Sequence, residues 1–89
     1  MDLPESAVDE LTRRLARVEG QVRGVSAMIR EGRDCRDVVT QLSAARRALE
    51  SVGFRLLASG LSQCLEDPAR AAADGDSVEE FERLFLKIA

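Results

Sequence analysis

The sequence predicts an all-α fold: a three-helix protomer with two long antiparallel helices and a short C-terminal one. Three observations carry this expectation. Apolar residues recur at alternating steps of three and four through two stretches, Val8 to Ile29 and Cys35 to Leu56. Ala, Leu, Arg and Glu, all good helix formers, dominate the composition, while Trp and Tyr are absent. Six Gly and two Pro are few for 89 residues, and Gly32 and Pro68 fall where the periodicity stops.

For the first helix, Pro4 is well placed near the start, and Ser6 with Asp9 three residues on forms a weaker relative of the Ser-x-x-Glu capping box. Val8, Leu11, Leu15, Val18, Val22, Val25 and Ile29 make a heptad seam over three heptads. Ala16, Gly20, Gly24 and Ala27 form a second stripe of small residues, suited to close packing against a neighbouring helix. Arg13, Arg14, Arg17 and Arg23 decorate the polar side. Gly32 closes the helix as a left-handed cap.

The turn Gly32-Arg33-Asp34 is short, so the second helix folds back antiparallel. Asp34 is its expected N-cap, which puts Cys35 in the first turn. Cys35, Val38, Leu42, Ala45, Leu49, Val52 and Leu56 repeat the seam, and Leu57, Leu61, Cys64 and Leu65 extend it. Glu66-Asp67-Pro68 stops the helix, leaving residues 66–76 as an irregular connector. Ser77-Val-Glu-Glu80 is a capping box opening the third helix, whose Val78, Phe81, Leu84, Phe85 and Ile88 share one apolar side. Residues 1–89 thus form one expected domain, with a loose N-terminus over 1–7.

Two helices of roughly 35 Å or more do not make a compact monomer. Their apolar faces need a cover, and a second hairpin provides it by completing an antiparallel four-helix bundle, with the third helix across its end. Self-assembly is therefore expected. The opening MDLPESAVDE has neither a basic nor an apolar region of the signal-peptide kind, and no apolar run approaches membrane-spanning length. A cytoplasmic setting follows as an expectation, and there a cysteine pair is more often reactive or metal-binding than structural.

Cys35 and Cys64 are the two cysteines, and histidine is absent. They lie 29 positions apart. At about 100° and 1.5 Å per residue they share one helix face yet sit roughly 43 Å from each other. They cannot meet in one straight helix. An antiparallel copy brings Cys35 beside the other chain's Cys64 at both ends. Cys35, with Arg33 and Arg36 beside it, is an accessible thiol at the positive end of the helix dipole. Cys64, between Leu61 and Leu65, also suits a small buried hydrophobe.

The net charge of −3 conceals an asymmetry. Residues 11–55 carry ten arginines against five acids, while both flanks are acidic. From pattern alone a charged helix face is ordinarily just a solvated one. Against that, ten bases beside five acids exceed what intrahelical pairing neutralises, and arginine forks match phosphate geometry. Contact with nucleic acid is the other reading, through the flat sides of the bundle because no helix-turn-helix or zinc-finger spacing is present. Enzymatic turnover is not expected: no His serves as base and no carboxylate pair is placed for it. No cofactor is expected either.

Arg17-Val-Glu-Gly-Gln-Val-Arg-Gly24, Asp34-Cys-Arg-Asp-Val-Val39, Gln41-Leu-Ser-Ala-Ala45 and Leu61-Ser-Gln-Cys64 carry a resemblance to the copper-sensing operon repressor (CsoR/FrmR) family over roughly residues 9 to 88. The resemblance implies a dimer of dimers that binds operator DNA through basic helical surfaces and releases it when the cysteine site is occupied. Arg14 matches a family arginine implicated in DNA binding. A second falls at Ser51, where Arg46, Arg47 or Arg55 nearby can substitute; Arg13 and Arg17 complete the candidate set. Copper sensors of the family have a His four residues before the second cysteine, and Gly60 stands there. Nickel and cobalt sensors use several histidines, and formaldehyde sensors an N-terminal proline where this chain has Asp2. The bare dithiol resembles the persulfide-sensing, CstR-like branch. The expected function is thus a repressor responsive to persulfide or polysulfide through Cys35 and Cys64. The alternatives are a Cu(I)-responsive repressor using the same thiols as its metal ligands and, more distantly, a helical scaffold that does not bind DNA.

Overall fold

Gly32 and Asp34 divide the long helical half of the chain into a hairpin. In the computed structural model, which describes residues 2–89, α1 spans Glu5–Arg30 and α2 spans Cys35–Glu66. Gly32 has φ of 72°, where a side chain would be strained. This conformation lets Gly32 N–H donate to Ile29 O and Arg33 N–H to Met28 O, a Schellman closure of α1. Asp34 then caps α2, its carboxylate accepting from Arg36 N–H at 2.8 Å.

The start of α1 departs from expectation. Pro4, in extended conformation, occupies the N-cap position without a side-chain hydrogen bond, and Ser6 lies inside the helix. The Pro4 carbonyl accepts from both Ala7 and Val8 N–H, so the backbone alone begins the helix at Glu5, within the segment expected to be loose.

Each heptad seam splits into two phases. Leu11, Val18 and Val25 of α1 are buried against Ala45 and Val52 of α2, closing the hairpin. The alternate residues face outward: Leu15, Val22 and Ile29 on α1, and Leu42, Leu49 and Leu56 on α2. Both phases repeat every seven residues, as a helix with two apolar neighbours requires. Ala16, Gly20, Gly24 and Ala27 are exposed as well, so the small stripe does not pack against α2.

Residues 66–76 contain a helix, α3 (Pro68–Ala73), in place of an irregular connector. Pro68 takes the first helical position, where a missing N–H costs nothing, and the alanines after it favour helix. Asp67 caps it by accepting from Arg70 N–H at 3.2 Å. Gly75, with φ of 78°, ends it through a second Schellman closure, Gly75 N–H to Ala72 O and Asp76 N–H to Ala71 O. The described residues therefore form four helices instead of three, within the expected all-α class. Ser77 Oγ accepts from Glu80 N–H at 3.1 Å, starting α4 (Val78–Ile88) as the capping box predicts.

α4 returns along α2 and docks on its glycines. Phe81 lies over Gly60, Phe85 pairs with Phe54 at 5.1 Å between ring centroids, and Ile88 lies over Gly53. A Cβ on Gly53 would approach Ile88 Cδ1 to 2.8 Å, so the missing side chain is what lets α4 close in. The result is elongated, 55 × 24 × 13 Å, with a radius of gyration of 16.9 Å. A compact chain of this length would have about 12 Å. The core is thin and one apolar face of the hairpin is open.

Candidate functional site

Cys35 is the first residue of α2 and is exposed. It is in register with Leu42, Leu49 and Leu56, seven residues apart, so the thiol heads the outward apolar stripe. Whatever covers those leucines also covers the ground beside the thiol. Cys64 lies near the other end of the same helix, half-buried under the connector to α4. At about 1.5 Å rise per residue the two thiols are roughly 43 Å apart, so one protomer does not bring them together.

Cys64 has an unforeseen neighbour. The left-handed turn at Gly75 carries Asp76 back over the end of α2, where its Oδ2 lies 3.9 Å from Cys64 Sγ. Partial burial and then the Asp76 carboxylate push the thiol up from its ordinary pKa, and Asp74 adds to the effect. Cys64, Gly60, Gln63 and Asp76 line a cavity of about 70 Å³, closed on one side by the Arg70–Asp2 ion pair at 3.1 Å. A Cβ at Gly60 would meet Phe81 Cε1 at 3.2 Å, so a side chain there would press on the ring and require it to give by a few tenths of an ångström. Among the described residues of one chain, no three His, Cys, Asp or Glu side chains group so as to hold a metal.

The six arginines assigned from sequence separate by position. Arg14 Nε pairs with Glu10 Oε1 at 3.1 Å, and Arg55 Nη1, from the other long helix, approaches that same oxygen to 3.5 Å. Arg55 Nε also donates a long hydrogen bond to Ser51 Oγ, 3.4 Å. Arg47 lines a shallow groove with Ser51, Phe54 and Arg55. Arg46 turns to the opposite side of α2, beside Gly53 and Ile88, its Nε 3.9 Å from Glu50. Arg13 and Arg17 remain exposed along α1, outside this grouping.

Two residues escaped the sequence reading. Asp76 was signalled only by the Asp67-Pro68 start and Gly75 stop of α3. Glu10 is visible as an i,i+4 partner of Arg14, but the arrival of Arg55 depends on the register of the hairpin.

No helix among the described residues is long and apolar enough to cross a membrane. Residues 7–87 match the family described as metal-sensitive transcriptional repressor. The copper-sensing transcriptional repressor RicR of Mycobacterium tuberculosis is 51% identical over 67 residues, 75% of this chain and 67% of that protein. The copper-sensing transcriptional repressor CsoR of Bacillus subtilis is 34% identical over 79 residues, 89% of this chain and 78% of that one. The solved structure of CsoR with Cu(I) from Geobacillus thermodenitrificans superposes with a TM-score of 0.80 at 31% identity, covering 98% of this chain and 91% of its own.

Proposed function

The chain belongs to the metal-sensitive transcriptional repressor family, and from that premise we propose that it binds operator DNA and releases it when an effector joins Cys35 of one chain to Cys64 of a second. The observation carrying this reading is the outward stripe headed by Cys35. An antiparallel second hairpin laid on Leu42, Leu49 and Leu56 buries the open face and sets its own Cys64 end beside the first chain's Cys35. Two such pairs form per dimer, and dimers pair again through their remaining surfaces. DNA contacts fall to the arginine surface, candidates being Arg13, Arg14, Arg17, Arg46, Arg47 and Arg55.

Cu(I) is the proposed effector. Persulfide, which the histidine-free sequence favours, gives way because both relatives named above are copper sensors. Two thiolates suit a soft monovalent ion, and Cys35 with the second chain's Cys64 would hold it. Bound there, Cu(I) would supply a crosslink between subunits. The protein's own part is to keep the donors at opposite ends of a rigid helix, so that joining them shifts how the two hairpins sit on each other. A ligand moves such an equilibrium only by its preference for one arrangement, and a crosslink possible in only one arrangement has that preference built in.

A second reading is favoured by Gly60, which withholds the third donor of the copper sensors by resemblance and lies under Phe81. In that reading the Cys35 thiolate attacks the outer sulfur of a persulfide RSSH, giving Cys35–SSH and releasing RS⁻. The second chain's Cys64 thiolate then attacks the inner sulfur, forming the intersubunit disulfide and expelling HS⁻. Anaerobic Cu(I) titration against a competing chelator, scored beside gel shift of the duplex upstream of the gene, separates the two. One tightly held Cu(I) per chain with loss of the shift supports copper. Weak Cu(I) binding, with the shift abolished by polysulfide alone, overturns it in favour of sulfur chemistry.

A further inference from the structure

An i,i+4 pair such as Arg14–Glu10 is ordinarily a weak contact on a solvated surface. Here it is not isolated. Glu10 Oε1 is shared, with Arg14 of α1 at 3.1 Å and Arg55 of α2 at 3.5 Å. The side chains of Arg14, Arg55 and Glu10 are 36%, 50% and 51% exposed, so an anion from solution can reach both guanidinium groups. Ser51 fixes Arg55 from behind, accepting from its Nε one helical turn earlier. Arg14 Nε donates to that oxygen and Arg55 Nη1 approaches it, so one nitrogen from each guanidinium converges on one anionic oxygen, as arginines converge on a phosphate oxygen.

We propose that Arg14 and Arg55 form one phosphate clamp across the α1–α2 hairpin, with Glu10 as its built-in stand-in anion, displaced when a nucleic-acid backbone phosphate arrives. The assignment rests on the DNA-binding reading above and narrows it to a site. Arg55 is singled out because it approaches the oxygen that Arg14 holds, whereas Arg46 approaches Glu50. Glu10 keeps the two guanidinium groups aimed at one point in the free protein, and it competes with phosphate for them. Its removal therefore strengthens binding, whereas removal of either arginine weakens it. The clamp also bridges both long helices, so it registers any change in their relative position.

The test is a salt titration of affinity for a random-sequence DNA duplex, using the intact protein and exposed-site variants whose helix content is checked by circular dichroism. R14A and R55A should each weaken binding about tenfold and lower the salt dependence by about one phosphate per engaged protomer. The double variant should lose less than the product of the two, because both groups serve one phosphate. E10Q should bind tighter than wild type. R83A, which removes the same charge from α4, should stay within about twofold of wild type if generic charge is not responsible. R55A binding like wild type, E10Q binding more weakly, or R83A matching R55A would each overturn the clamp while leaving the repressor reading intact. Wild-type protein that binds no duplex at low salt would overturn both.

Discussion

The carboxylate of Asp76 faces the thiol of Cys64 across 3.9 Å, although twelve positions and a separate helix lie between them in the chain. The contact makes the two cysteines unequal. Cys35 stands in solvent at a helix start, while Cys64 is half-covered and shadowed by an acid.

Partial burial and Asp76 both penalise the Cys64 thiolate, so its proton is held to higher pH than that of an ordinary thiol. The sign for stability follows. The preference for neutral Cys64 is fully present below the unfolded-state pKa and fades as pH rises through the folded-state value. Alkylation of Cys64 should accordingly begin at higher pH than that of a cysteine in a short peptide. Asp76→Asn should shift the profile down and speed alkylation several-fold at neutral pH. Peptide-resolved mass spectrometry after iodoacetamide pulses measures this, and superimposable profiles for the two proteins would count against the contact.

Phe81 packs over Gly60, so a larger side chain there presses on the ring on which α4 docks. Gly60→His should lower unfolding free energy by about 1–3 kcal/mol, as overpacking does. Trimming the ring in the same chain, Phe81→Leu, should recover part of that loss. Urea unfolding followed by circular dichroism reads both. Equal stability of Gly60→His and wild type would mean that α4 does not press on this site.

The two phases of each seam predict opposite outcomes for one kind of substitution. Leu49 is 52% exposed and Val52 only 7%. Leu49→Glu should keep its helix content and protomer stability but sediment as a smaller species than wild type. Val52→Glu should destabilise the hairpin itself by about 3 kcal/mol or more, because it buries an unpaired charge. Sedimentation velocity beside thermal melting distinguishes the two, and an unchanged sedimentation coefficient for Leu49→Glu would leave the outward leucines without an assembly role.

Much of this architecture was legible before any coordinates. The alternation from Val8 to Ile29 and from Cys35 to Leu56 defined both long helices, because a 3.6-residue repeat admits few other readings. Gly32, Asp34 and Ser77 act as the caps their residue types imply. What a single periodicity cannot reveal is which of its two phases faces the chain's own second helix. Leu11 and Leu15 look alike in sequence, yet one is buried and the other open. Nor does periodicity rank the glycines: Gly20 and Gly24, flagged for close packing, are exposed, while Gly53 and Gly60 receive α4. In sequence Pro68 reads as a stop, although the position after an Asp N-cap is where proline starts a helix. That ambiguity hid α3, and with it the approach of Asp76 to Cys64.

At the site itself, the thiols are legible because Cys35 and Cys64 are the two cysteines of a histidine-free chain and their spacing puts both on one helix face. The shared oxygen of Glu10 was not legible, since Arg14 and Arg55 are brought together only by the hairpin register.

Cys35 is exposed and contributes nothing to the buried core. Cys35→Ser should therefore leave duplex affinity within about twofold of wild type and abolish the effector's ability to release the DNA. Gel shift with and without effector scores both halves. A Cys35→Ser protein that still lets go on effector addition would remove Cys35 from the sensing site.

The central claim is that each sensing site takes one thiol from either chain. Cys35→Ala and Cys64→Ala homodimers should each lack a complete site, whereas a mixed dimer of the two, isolated by separate affinity tags, contains one. Anaerobic Cu(I) titration of that mixed dimer should recover half the wild-type stoichiometry from two parents that bind none tightly. A mixed dimer as empty as its parents, or a parent that alone retains the full stoichiometry, would contradict it.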